Sequence, residues 1–287
     1  MPWTFAHAAA VLPLRRWPRA LPFVGLVVGS FAPDFGYYSG HFELAKEAHT
    51  PLGLLWLCLP PAFAIVLLLR WLRGPLLDLL PQSHRGAIAS LPAPPLLAGW
   101  REALALCAAI VVGAATHVVW DSFTHAHGFS VQALPWLQQP LFTVGGRRFL
   151  VYNTLQHASS LFGVVCLGVA YRHWLRRRLA ESLAPPPGEG AAADRTAQRA
   201  ADVAAHSDDG RDRQRVALLA GCLAVAVLAA VPMAQAVTAD QLPGPYSMSN
   251  LVVRSIIFAT SNAAVLLLLA TGAWRWRQTR RTGGTRS

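Results

Sequence analysis

The stretch GAATHVVWDSFTHAHG, residues 113–128, carries the side chains best suited to chemistry. His117, Asp121 and His125 follow one another at intervals of four. Residues four apart share one face of a helix, so the spacing predicts a single polar stripe if the helix continues to the turn before Gly128. Imidazole nitrogens and carboxylate oxygens in such a stripe are ligand types that hold Zn²⁺, alone or as part of a multinuclear site. Ionisable groups at the end of an otherwise apolar helix are costly and point to function. The plainer alternative is a set of groups at headgroup level, bonded to one another and to water.

Other residues of the same kind sit beside other apolar runs. Asp34 follows Pro33 in GSFAPDF, where the proline ends a helical run and leaves the acid at its end. His49 opens HTPLGLL. Thr50 and Pro51 there read as helix-start residues, which accounts for both but not for the histidine. His157 lies near the start of a further run, in YNTLQHASS, among Gln156, Ser159 and Ser160, which suit bonds between helices. His7, in WTFAHAAAVL, joins these groups only if the first 32 residues form a re-entrant hairpin. His84, His173 and His206 fall among arginines or in a polar stretch and read as solvated.

The elements that must position these side chains are membrane helices. Of the 287 residues, 54% are hydrophobic and only 14% charged, with a mean hydropathy of +0.37. Such a composition excludes a disordered chain, a collagen, a coiled coil and a disulfide-built secreted domain. The net charge of +11 does not indicate nucleic acid. All but one of the 25 basic residues are arginines, clustered at the ends of apolar runs, as in a membrane protein. Five runs are long enough to cross a bilayer: Leu52–Leu69, Leu104–Trp120, Leu155–Tyr171, Val216–Val237 and Leu251–Trp274. Pro60-Pro61 predicts a kink in the first. A sixth, Ala20–Ala32, has 13 residues and is either a short span or a re-entrant helix. The expected fold is therefore an all-α, polytopic transmembrane helix bundle of five to six membrane segments. The four cysteines, Cys58, Cys107, Cys166 and Cys222, fall inside the runs and read as buried thiols. No cleavable signal peptide is evident.

The stretch from about 184 to 212 has almost no large apolar residue and reads as a flexible linker. The chain then divides into a front membrane domain (1–180), a linker (181–215) and a two-helix hairpin with a basic tail (216–287). With six crossings and the N-terminus inside, 21 of the 25 basic residues face inward. If Ala20–Ala32 is re-entrant, the split is 18 to 7. Both arrangements put the linker and the C-terminus in the cytoplasm and residues 34, 49, 121 and 125 on the outer side.

The blocks MPWTFAHAAAVLPLRR, LPFVGLVVGSFAPDF, HTPLGLLWLCLP, GAATHVVWDSFTHAHG and YNTLQHASSLFG resemble, in that order, a family of bacterial polytopic membrane proteins of uncharacterised activity. The resemblance covers about residues 1–175. It is similar in turn to the YdjM-like inner-membrane proteins, which are assigned by inference as metal-dependent hydrolases. Their pattern has an early His, a Pro-Asp, a His before a helix and a later His-x-x-x-Asp. The matching positions here are His7, Asp34, His49, His117 and Asp121. That pattern usually repeats the Asp soon after Pro-Asp, where this chain has Phe35-Gly36. The His-x-x-x-Asp pair also resembles a helical ligand pair of zinc-dependent phospholipases C and single-strand nucleases.

Taken together, the expectation is a multi-pass protein of the bacterial inner membrane with a divalent metal, zinc first, at the outer interface. His49, His117 and Asp121 are the expected ligands, with Asp34 and His7 completing the site or its surroundings, and His125 or His157 as acid/base. The expected activity is hydrolysis, with a lipid-derived phosphoester as substrate, the bilayer as partner and no nucleic acid. A non-enzymatic metal-binding membrane protein and a transporter are the alternatives. A transporter would place ionisable groups at mid-membrane and often carries inverted repeats, whereas these groups gather at one face.

Overall fold

The structure, a computed structural model, describes residues 3–16, 21–93, 99–183, 191–238 and 245–283. The described chain is helical apart from one hairpin, which agrees with the all-α expectation. Five helices are long and apolar enough to cross a membrane: Pro51–Trp71, Trp100–Ser122, Val151–Ser182, Asp212–Gln235 and Arg254–Ala273. The chain reads as a multi-pass membrane protein. It forms two compact units, one of residues 1–70 and 94–171, the other of 71–93 and 172–287.

In the first unit the expected sixth segment is not a span. Its helix, Phe23–Gly29, has only 7 residues. At 1.5 Å per residue it covers about 10 Å, a third of the hydrocarbon thickness. The N-terminal arm, Thr4–His7, Ala8–Val11 and Leu12–Arg16, is a run of short helical turns. Val11 of the arm, Leu26 of the short helix and Ala109 of the Trp100–Ser122 helix bury one another. The short helix and the Trp100–Ser122 helix lie backbone to backbone. A Cβ at Gly29 would collide with the backbone of Ile110, and one at Gly113 with that of Leu26. Small residues permit this closeness in lipid, where dispersion contacts hold helices together.

Thr50 caps the next span as the sequence indicates, its hydroxyl accepting from the Gly53 N–H at 3.1 Å with Pro51 following. Pro60 and Pro61 have no N–H to give to the turn before them, and that turn, Leu54–Cys58, is π-helical. After Gln139 the chain makes an unforeseen antiparallel hairpin, Pro140–Val144 with Arg147–Leu150. Gly145 and Gly146, at φ 56° and 78°, form its turn, since positive φ at both central residues matches the twist of the strands. The Gly-Gly between two short apolar stretches was its sequence signal.

In the second unit, Arg73 donates to the carbonyls of Ile88, Ala89 and Leu91 and closes the end of helix Gln82–Ala89. Asp212 accepts from the Gln82 N–H and from Arg215, both at 2.8 Å. The helices Ala191–Thr238 and Pro245–Gly283 pack along Ala226, Ala230 and Ala234. The segment read as a flexible linker is described only in part. Residues 184–190 lie outside the described residues, and 191–215 open the Ala191–Thr238 helix. Its many alanines and arginines have high helix propensity, and low hydrophobicity alone does not oppose a helix. All four cysteines are free, Cys58 buried and the other three half-buried.

Candidate metal centre

The close approach at Gly29 and Gly113 brings the end of the short helix against the last turns of Trp100–Ser122. The Ser30 carbonyl lands 2.7 Å from His117 Nδ1 and accepts its proton. Nε2 of His117, on a side chain with no exposed surface, is thereby turned toward Asp34 and Asp121. Four residues after Ser30, in the turn Ala32–Asp34, the chain delivers Asp34 to the same place. Its Oδ2 accepts from the Thr4 hydroxyl, which accepts in turn from Tyr38 at 2.8 Å. Oδ1 remains free to face His117. His49 ends the helix Phe42–Ala48, donates from Nδ1 to the Ala45 carbonyl at 2.7 Å and turns Nε2 inward. Asp121, one turn beyond His117, completes the group.

The four residues form a cage. Asp34 Oδ1 stands 3.6 Å from His117 Nε2 and 3.7 Å from His49 Nε2. Asp121 Oδ2 stands 3.4 Å from His117 Nε2 and 3.6 Å from His49 Nε2. All four ligand atoms lie within 4.8 Å of one another. These separations are long for hydrogen bonds but match the edges of a coordination polyhedron. Four atoms at 2.0–2.1 Å from a tetrahedral ion would be about 3.4 Å apart. His117 Nε2 and Asp121 Oδ1 are buried with no hydrogen-bond partner. Asp34 and Asp121 are 2% and 7% exposed, and among the described residues their ion-pair partners are all histidines. Two buried carboxylates thus converge with no arginine or lysine beside them among the described ion pairs, a costly arrangement without a further counter-charge. The group could hold a metal ion, and both imidazoles carry the backbone anchor that metal-ligating histidines commonly have.

His7 and His125 flank the cage. The His7 ring stacks on that of His117 with centroids 3.7 Å apart, and its Nε2 is 3.4 Å from Asp121 Oδ1. His7 thus lies with the group. Burial, helped by the neighbouring His117, holds His7 well below the usual imidazole range, so it is neutral. His125 lies beyond the end of the helix, yet its N–H still bonds to the Asp121 carbonyl at 3.0 Å and the stripe persists. Its Nδ1 is 3.4 Å from Asp121 Oδ2, and burial lowers its pKa against the pull of Asp121. Tyr38 is pushed up to about 12 by burial and by Asp34, against its bond to Thr4, and stays a donor.

The cage is open on one side. A cleft of about 450 Å³ is lined by Asp34, His49, Asp121 and His125, with Tyr37 and Lys46 farther out. Lys46 is the chain's single lysine and pairs with exposed Glu43 at 2.7 Å. His157 takes a different place. It is exposed and lies outside the cleft lining, while the preceding Gln156 turns inward and meets His125 Nε2 at 3.1 Å. Residues missed from the sequence are Thr4, Ser30 and Tyr38, whereas Gln156, read as suited to bonds between helices, makes one to His125. Thr4 alone had a signal, a hydroxyl three residues before His7 in a short apolar arm.

The model of a domain of unknown function, DUF4184, matches residues 1–272, and the chain belongs to this family. No curated protein and no solved structure matches the chain.

Proposed function

We propose that the protein is a multi-pass, metal-dependent hydrolase that holds one divalent cation, zinc, between Asp34, His49, His117 and Asp121 and cleaves a lipid-derived phosphoester. The observation that carries this reading is the buried pair of carboxylates meeting two imidazole nitrogens at the floor of an open cleft. A donor set of two nitrogens and two carboxylate oxygens suits zinc better than Mg²⁺ or Ca²⁺, which take oxygen-rich cages. When bound, zinc supplies a water of lowered pKa and polarises a phosphoryl oxygen.

The chain's own groups fit the remaining tasks. The Ser30 and Ala45 carbonyls hold the two imidazoles with Nε2 inward. Thr4 occupies Oδ2 of Asp34 and leaves Oδ1 to ligate. In hydrolysis a water oxygen bonds to phosphorus, the phosphorus–alkoxy bond breaks and the departing oxygen takes a proton. His125 faces the cleft from outside the cage and is placed to pass that proton. Lys46 at the rim suits an anionic head. The order His7, Pro33-Asp34, His49 and His117-x-x-x-Asp121 resembles the YdjM-like pattern, apart from Phe35-Gly36, and supports the same reading. With Phe23–Gly29 too short to span, the basic residues divide 18 to 7. That division favours a cleft on the outer side of the bacterial inner membrane and a cytoplasmic C-terminus.

The test is metal analysis and phosphate release by the full chain purified in mild detergent, beside His117→Ala and Asp121→Ala. Stoichiometric zinc and turnover in the wild type, both lost in the variants, are expected. Stoichiometric zinc without release from any phosphoester lipid would leave a metal-binding protein and end the hydrolase reading. A reporter fused within residues 121–154 tests sidedness, and a cytoplasmic signal there would reverse the topology.

A further inference from the structure

A second concavity, of about 620 Å³, opens on another face of the helix that carries His117 and Asp121. Ala115 and Val119 line it from that helix, Phe123 from just past its end, Ala10 from the N-terminal arm, and Leu155 and Ser159 from the helix Val151–Leu183. Its surface is almost wholly carbon. The two long helices in its lining are apolar enough to cross a membrane, and Val119, Phe123 and Leu155 are exposed. At that depth the surrounding medium is hydrocarbon, so a lipid chain is the occupant at hand.

The groove adjoins the polar cleft. Thr124 lines the groove, and its hydroxyl lies 3.2 Å from the ring of His125, which lines the cleft. Leu155 and Ser159 line the groove on either side of Gln156, whose side chain meets His125. Trp120, also in the groove wall, sets its indole edge-on to His7, with centroids 5.7 Å apart. The His125–Gln156 contact therefore stands between an apolar chamber and a chamber floored by the cage.

We infer that the two chambers are the halves of one amphiphile site. The substrate is a membrane-resident lipid phosphoester whose hydrocarbon chain lies in the groove and whose phosphoryl head crosses at His125 and Gln156 into the cleft. This rests on the hydrolase reading above and adds to it where the chain is held. Two sources of the same phosphoryl chemistry, a lipid and a soluble phosphomonoester, are then told apart by the groove.

The experiment uses the full, zinc-loaded chain in phosphatidylcholine nanodiscs, as wild type, Ala115→Trp and Val119→Trp. Either indole fills the groove, and the second variant stands in if the first fails to fold. Phosphate release is measured from dipalmitoyl phosphatidic acid and from glycerol 3-phosphate. The ratio of the two rates is expected to fall at least about tenfold in the variants, as for removal of a hydrophobic subsite. In parallel, phosphatidic acid with a diazirine in its chain is photolysed, and the labelled peptides are identified. Label is expected on peptides within 112–124 and 155–159 of the wild type and lost in the variants. An unchanged rate ratio, label unaffected by the indoles, or a groove shielded from label by protein would each overturn the inference. Absence of release from both phosphates would instead defeat the hydrolase reading, and the labelling would still decide the groove.

Discussion

The two units solve the problem of a polar group in a membrane protein in opposite ways. In the second unit the described helices pack through alanines, Ala226, Ala230 and Ala234, and the one buried polar side chain among the described residues is Thr271. Its hydroxyl returns to its own helix, on the Leu268 carbonyl at 2.9 Å. Asn262 reaches across to the Ala226 carbonyl at 3.5 Å, a weak tie. In the first unit ten of the described polar or ionisable residues are buried, and several of them point at one another instead of at a backbone partner. An apolar hairpin needs only contact. A buried cluster of two acids and several imidazoles needs a counter-charge, which is why the first unit reads as a site and the second as a scaffold.

That contrast can be broken most decisively at the acids. Replacing Asp34 and Asp121 together with Asn should abolish stoichiometric zinc binding, since half of the ligand set is removed, while the chain remains folded. Chelation should then lower the melting temperature of the wild type and leave that of the double variant unchanged, as linkage requires. Differential scanning of detergent-solubilised protein with and without EDTA checks both statements. A wild type indifferent to chelator and zinc would erase the distinction between the units.

A smaller effect is expected where packing alone positions the site. Gly113→Leu drives a side chain into the Leu26 backbone and should cost about 1–3 kcal/mol, with weakened zinc binding as Ser30 leaves His117. Gly221→Leu in the second unit meets nothing within 4 Å of the new Cβ and should change neither. Urea melts and zinc titrations of the two variants give the comparison.

Smaller still is the effect of the groups behind the cage. Thr4→Val strips Oδ2 of Asp34 of its donor and should weaken zinc affinity roughly 10–100-fold, with Thr4→Ser restoring most of it. Competition with a chromophoric chelator measures this, and an equal loss in Thr4→Ser would reassign Thr4 to packing. The least effect belongs to Asn262→Leu, where one interhelical bond is exchanged for apolar contact. A change of about 0.6 kcal/mol, readable by unfolding in mixed micelles, is the expected size.

What the sequence by itself determined is whatever depends on local pattern. Apolar length located all five long helices, because the number of residues needed to cross hydrocarbon is fixed by the helical rise. The spacing of four placed His117, Asp121 and His125 on one stripe, and Thr50-Pro51 marked a helix start. Tertiary structure alone decided the rest. Asp34, His49 and His117 come from three separate elements, and their convergence depends on two glycines that let helices touch. The same is true of Ala20–Ala32, whose hydropathy fits a span or a hairpin equally, until packing of the arm against Leu26 and Ala109 makes it a short helix. Gln156 rather than His157 faces His125, because which of two neighbours turns inward is set by the rotation of their helix against another. A one-dimensional pattern records spacing along a helix. The angle and distance between helices are fixed by side-chain packing and backbone contact, which the pattern does not carry.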